Sequence, residues 1–112
     1  MTATPKKLIQ GSQLTNSAAT YYTAPTNTRT LVKKVTLTNN DSVAHTATIY
    51  LVPNGGTAGV TNILSDAVPI ASKAVYEAFE AEGHVLMTGD SLQAFADTGS
   101  QVTIQASGVE IV

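Results

Sequence analysis

The run from His45 to Pro53 alternates residue by residue. Ala47, Ile49 and Leu51 fall on one face, and Thr46, Thr48, Tyr50 and Val52 on the other. A period of two belongs to a strand with one face buried. A second β-rich run, Leu31–Thr38, precedes it, and the polar turn Asn39-Asn40-Asp41-Ser42 separates the two. The pair reads as an antiparallel hairpin at the centre of an all-β domain. No long segment with helical period is available to cover a sheet face, so two sheets must cover each other. The predicted fold is an antiparallel β-sandwich, jelly-roll-like, with about eight short strands.

Turn signals divide the rest of the chain. Met1–Lys7 (MTATPKK) is small, polar and basic, and residues 1–7 are expected to form a flexible N-terminal arm. Residues 8–112 are expected to make a single β-sandwich domain. Leu8–Leu14 is a strand interrupted by Gly11. Ala18–Ala24 is a second strand, whose Tyr21 and Tyr22 face opposite sides, so one ring should enter the core. In Thr30–Thr38 a regular strand would bury Lys33 beside Leu31, Val35 and Leu37, which predicts a bulge near Lys33-Lys34. Asn54–Asn62 is a wide glycine-rich loop. Ile63–Asp66 reads as a helical turn or a short strand, and Val68–Ala71 and Ala74–Phe79 as two short strands around Ser72-Lys73. Tyr76–Glu82 reads as strand followed by loop, because Gly83 comes too soon for a stable helix. Leu92–Ala96 and the last strand, Val102–Val112, flank the hairpin turn Asp97–Ser100. Val109 and Ile111 are out of phase with Val102, Ile104 and Ala106, and a bulge at Ser107-Gly108 would absorb the slip. The predicted core is Leu31, Val35, Leu37, Ala47, Ile49, Leu51, Leu92, Val102 and Ile104.

The residue types argue against most chemistry. Only 12% of the residues are charged, about half the usual share, and threonine, serine, asparagine and glutamine replace them. Such a surface costs little to desolvate and suits a subunit packed against neighbours. The net charge of −2 and the paired lysines Lys6-Lys7 and Lys33-Lys34 make no basic footprint, so no nucleic acid is expected. There are no cysteines, which removes disulfides, thiolate chemistry and cysteine zinc sites. Leu8-Ile9 gives way at once to Gln10-Gly11-Ser12, so neither a signal peptide nor a membrane span is read, and a soluble protein made in a cytoplasm is expected. His45 and His84 are not in ligand spacing, and no serine lies in a G-x-S-x-G elbow. Glu77, Glu80 and Glu82 lack the spacing of a calcium loop, and Asn54-Gly55-Gly56 lacks the lysine of a phosphate loop. No catalytic residue, cofactor or metal is expected.

The segment Gly83–Val112, GHVLMTGDSLQAFADTGSQVTIQASGVEIV, resembles a group of small tailed-bacteriophage virion structural proteins. Their pattern is V-L-x-x-G-D-x-[IL]-x-A, a short turn, then an alternating strand ending S-G-x-E. Val85, Leu86, Gly89, Asp90, Leu92, Ala94, Ser107, Gly108 and Glu110 match it. The central VTLTNNDSVAHTATIYLVPNGG is similar to the same group. The resemblance implies a non-enzymatic virion β-sandwich, foremost a capsid decoration (cement) protein bound to the major capsid shell. It implies a homo-oligomer, a trimer by analogy. A tail, neck or baseplate component, or a carbohydrate-binding module of a host-recognition device, is the alternative. In such a particle the arm would lie on a neighbour, with Pro5, Lys6 and Lys7 meeting an acidic partner surface.

Overall fold

A computed structural model describes residues 2–112; Met1 lies outside the described residues. Nine strands form in chain order: β1 (Ala3–Gln13), β2 (Ala19–Thr23), β3 (Arg29–Asn39), β4 (His45–Val52), β5 (Ile63–Ile70), β6 (Val75–Glu77), β7 (Val85–Leu86), β8 (Ser91–Ala96) and β9 (Val102–Ile111). They make two antiparallel sheets. The first runs β1-β9-β3-β6, with β7 also paired to β3, and the second runs β2-β8-β4-β5. Only the β4–β5 and β6–β7 connections stay within a sheet; every other connection crosses from one sheet to the other. With β6 and β7 taken as one interrupted strand, this interleaving is a jelly roll.

The strand order corrects both expected hairpins. β3 and β4 do not pair: β3 is flanked by β9 and by β6 and β7, and β4 by β5 and β8. Both strands are central, so each needs two neighbours in its own sheet, and their apolar faces meet across the core. The chain crosses over at residues 40–44. Asn39, fully buried at the end of β3, secures that crossing. Its Nδ2 donates to the carbonyls of Val43 (2.9 Å), Ile70 (3.0 Å) and Ala71 (3.3 Å), and its Oδ1 accepts from Asp41 N–H at 2.9 Å. Asn39→Ala strands three carbonyls near the core and should cost about 2 kcal/mol in urea unfolding. Asn39→Leu restores volume but no donor and should recover none of it. β8 and β9 likewise lie in different sheets, joined by the crossing at residues 97–101.

Residues 3–7 are also not an arm. They pair with β9 from Ala3↔Ile111 to Lys7↔Ser107 as the first half of edge strand β1. β9 continues to Ile111 and presents a ladder that these residues satisfy, so local polarity did not decide. Pro5, Lys6 and Lys7 stand where edge strands are commonly protected from unwanted pairing. The segment 63–71 differs as well: Ile63–Ile70 is one strand, with an irregular register against β4 and a positive φ of 47° at Ala67. The β6 strand followed by turns over residues 79–83 matches the sequence reading.

Val35, Leu37, Ala47, Ile49, Leu92, Val102 and Ile104 are buried as expected, and Leu51 packs against them half-buried. Tyr22 is the ring that enters the core. The bulge in β3 is present, between Val32 and Lys34. By inverting the phase it turns Val32 inward and Leu31 outward, so Leu31 is not a core residue. The slip in the last strand has a different origin. β9 itself is regular, and the extra residues are Lys33 in β3 and Leu8 in β1, on either side of Ser107-Gly108. Gly108 stays in phase with Val102, Ile104 and Ala106 and is buried. Val109 and Ile111 therefore face outward.

Candidate interaction surface

The outward residues of the first sheet line up through the register. Directly opposed residues of antiparallel strands share a face. Pro5 opposes Val109, Val109 opposes Leu31, and Leu31 opposes Val85. One apolar row thus crosses β1, β9, β3 and β7 on the solvent side. Ala3, Ile111 and Arg29 form the adjoining row. Two shallow recesses flank the middle of this surface. One, of about 270 Å³, is lined by Arg29, Leu31, Val85 and Ile111. The other, wider and more open, is lined by Pro5, Lys6, Lys7, Lys33, Ser107, Gly108 and Val109. Val85 and Met87 are exposed at the border, at 49% and 53%. Apolar side chains this exposed and this contiguous mark a surface for association rather than scattered surface residues.

Cations predominate on this face, and the exposed Glu77 shares it. Among the described residues, Arg29, Lys7 and Lys33 have no ion-pair partner, whereas Lys34 is 3.6 Å from Glu77. Of the three residues expected to meet a partner, Pro5 and Lys7 lie on the outer face. Lys6 lines the wider recess with them but opposes Gly108 on the inward phase, and its Nζ is held 3.3 Å from Glu110. Glu110 also accepts the Tyr22 hydroxyl at 2.6 Å, and Tyr22 bonds Thr30 at 2.7 Å. Burial, then the bond to Glu110, pushes the Tyr22 phenol up to about 12, so it remains a donor, and the Tyr22 hydrogen bond followed by Lys6 holds Glu110 below its ordinary range. This chain closes the core at one end of the sandwich. The sequence carried the signal for Val109 and Ile111 in their phase slip, but assigning the slip to β9 hid their outward direction.

Residues singled out by the resemblance have structural tasks. The Asp90 carboxylate accepts the N–H groups of Met87 and Asn54, both at 2.9 Å, and so joins the β7–β8 turn to the glycine-rich loop. Gly89, at a φ of 86°, leaves room for the Asn54 side chain, which a Cβ would meet at 2.4 Å.

Among the described residues, His45 is the histidine held between two carboxylates. Both ring nitrogens of His45 face carboxylates: Nε2 lies 2.7 Å from Asp41 Oδ2 and Nδ1 2.9 Å from Asp97 Oδ1. Neither nitrogen is left to take a proton from a nucleophile. Instead His45 ties the crossing after β3 to the crossing after β8. Its pairing with Asp41 first, and then with Asp97, raises its pKa above the ordinary value. The His45 and Ser42 hydrogen bonds lower that of Asp41. A raised histidine contributes fully below its unfolded value near ~6.5 and loses that contribution as pH rises through the folded value. A lowered aspartate contributes above ~3.9 and loses it as pH falls. The clasp is thus strongest between these limits. The melting temperature of the wild type should fall from pH 6 to pH 9 more steeply than that of His45→Gln; parallel curves would contradict the clasp. Among the described residues, no group of three or more His, Cys, Asp or Glu is placed to hold a metal ion, and no helix is long and apolar enough to cross a membrane.

Compared with known protein families and with curated proteins, the chain matches none. Among solved structures it is similar to one of infectious bursal disease virus, Gx strain, at 16% identity and a TM-score of 0.48, covering 97% of this chain and 30% of that one. A structure of the Gt strain gives 12% identity and a TM-score of 0.41, covering 96% of this chain and 30% of that one. The chain thus spans under a third of the length of each. The jelly-roll assignment rests on the strand order alone.

Proposed function

We propose that the protein is a non-enzymatic structural subunit of a bacteriophage virion, and within that class a capsid decoration (cement) protein that binds the major capsid shell. The jelly roll serves capsid proteins, lectins and cupins alike, so the fold leaves the function open. What carries the reading is the apolar row across four strands, bordered by unpaired cations, on the outside of the first sheet. The resemblance of residues 35–56 and 83–112 to small phage virion proteins supports the same class. The shell contact is made by the end of this face that holds Pro5, Lys7, Lys33 and Val109, against a partner surface rich in carboxylates. Lys6 contributes little there, because its ammonium is engaged by Glu110.

Co-sedimentation of the full-length chain with capsids stripped of it tests this reading. Binding should weaken with added salt, and Lys7→Glu with Lys33→Glu should reduce it at least tenfold, while Lys6→Gln changes it much less. Wild-type protein that fails to bind, or a double variant that binds as well as wild type, contradicts the reading. One observation favours a carbohydrate-binding alternative. Tyr50 and Phe95 stack on the outer face of the second sheet, with centroids 6.2 Å apart and planes 24° apart. Both rings are half-buried, which leaves little platform for a sugar. Selective retention on a glycan array would support that alternative.

A further inference from the structure

Two of the four prolines lie inside strands, and both strands are sheet edges. These are also the longest edges: β1 has 11 residues and β5 has 8, against 5 in β2, 3 in β6 and 2 in β7. A proline lacks the N–H that a ladder uses, so its place in the bonding pattern decides its effect. Thr2 and Val112 exchange both backbone bonds, at 3.0 and 2.9 Å. Bonded and non-bonded pairs alternate along an antiparallel ladder. Ala3, Pro5 and Lys7 therefore turn their backbone groups away from β9, toward the open side of the sheet. Pro5 costs β1 no bond to β9 and removes a donor from the free edge. It stands at the middle of Ala3–Lys7, the longest regular stretch of the β1 register. Beyond it the register shifts between Lys7 and Ile9 and again between Ile9 and Ser12, where Gly11 has a φ of 103°.

The second sheet repeats the arrangement. Pro69 of β5 opposes Thr46 of β4, and the Thr46 carbonyl accepts Asp97 N–H at 3.0 Å, on the β8 side. Thr46 thus presents its backbone groups to β8, and Pro69, opposite it, faces the open edge. Two residues earlier, Ala67 at a φ of 47° turns its N–H onto Thr48 Oγ1 at 3.0 Å. Neither position offers a donor to a neighbouring strand. The shorter edges are interrupted in other ways: β2 slips register between Thr20 and Tyr22, and β6 and β7 are separate strands. With only 12% charged residues, the chain has few charges to blunt its edges by repulsion. We propose that Pro5 and Pro69 guard the two long edges against strand pairing with a second copy, and so direct association of this chain to its sheet faces. Antiparallel pairing of two β1 edges about a two-fold axis would set Ala3, Pro5 and Lys7 against the same stretch of the other copy. Each proline there leaves a partner carbonyl without its donor and out of reach of water. The inference concerns the free chain and does not depend on a capsid partner.

Sedimentation velocity of the full-length protein over a concentration series tests it, with Pro5→Thr and Pro69→Thr made singly and together. Threonine suits a strand and restores the N–H. The double variant should self-associate about tenfold more tightly than the wild type, or more, the effect of regaining one net hydrogen bond from each copy. Each single variant should fall between the two. Pro25→Thr, in the turn closed by Thr28 N–H donating to Pro25 O, is the control and should match the wild type. Circular dichroism at low concentration should be native in every form. Amide hydrogen exchange locates the contact: the Ala3 and Lys7 N–H groups should exchange fast in the wild type and slowly in associated Pro5→Thr. Each edge is tested by its own variant, so loss of folding in one leaves the other decisive. Natively folded variants that associate no more than the wild type overturn the proposal. So does association of Pro5→Thr that leaves the Ala3 and Lys7 amides fast.

Discussion

Gly108→Ala should destabilise the fold by about 3 kcal/mol, the upper end of the overpacking range. Gly108 is buried in β9 between the bulges of β1 and β3. A Cβ there would stand 2.2 Å from the Leu31 carbonyl oxygen and 2.9 Å from Leu8 Cδ1. The nearer atom is backbone held in a ladder, so it cannot swing aside as a side chain would. Relief requires β3 to move away from β9, which disturbs the centre of the first sheet. Urea unfolding should show a lower midpoint at unchanged slope. Gly99→Ala is the control: a Cβ there meets nothing within 4 Å, and its effect should stay within about 0.5 kcal/mol. Equal effects at the two positions would refute the close approach of β3 to β9.

Ile49→Ala should cost about 2–5 kcal/mol, from the lost transfer energy of the deleted carbons and the cavity they leave. Ile49 is 1% exposed at the middle of β4, opposite Ala94 of β8 and Ser65 of β5. Its own strand is bonded on both sides, to β8 and to β5, so collapse into the space is restricted and the upper half of the range is expected. A cost below about 1 kcal/mol would mean that Ile49 does not face the opposite sheet.

Where the fold was legible, one face decided. The alternation of β4 placed Ala47 and Ile49 in the core, and the problem of burying Lys33 located the β3 bulge. Reading failed where partners outside the local window decided. Nothing within residues 3–7 indicates that β9 will pair with them, because that pairing is long-range backbone chemistry to which Pro5, Lys6 and Lys7 contribute little. The turns after β3 and β8 have hairpin composition, but the demand of two central strands for their own neighbours carries each across the sandwich. Leu31 shows the same limit within one strand: the bulge was foreseen, but its consequence for residues upstream of it requires knowing which side the core lies on. The interaction surface was half visible. The phase slip of Val109 and Ile111 marked it, yet only the register of β1, β9, β3 and β7 joins these residues to Pro5, Leu31 and Val85. Glu77, Glu80 and Glu82 fit no metal loop by spacing, and only the fold shows their partners: Lys34, Tyr76 with Ser65, and the Val35 N–H.

A structural component present over the shell of a particle should be countable there. Quantitative mass spectrometry of purified virions, with the major capsid protein as internal standard, tests it most directly. A decoration role predicts this chain in numbers comparable to the major capsid subunit, removable by raised salt without loss of the shell. A few copies per particle would contradict decoration in favour of a neck or tail position, and absence from purified virions would contradict the structural role itself.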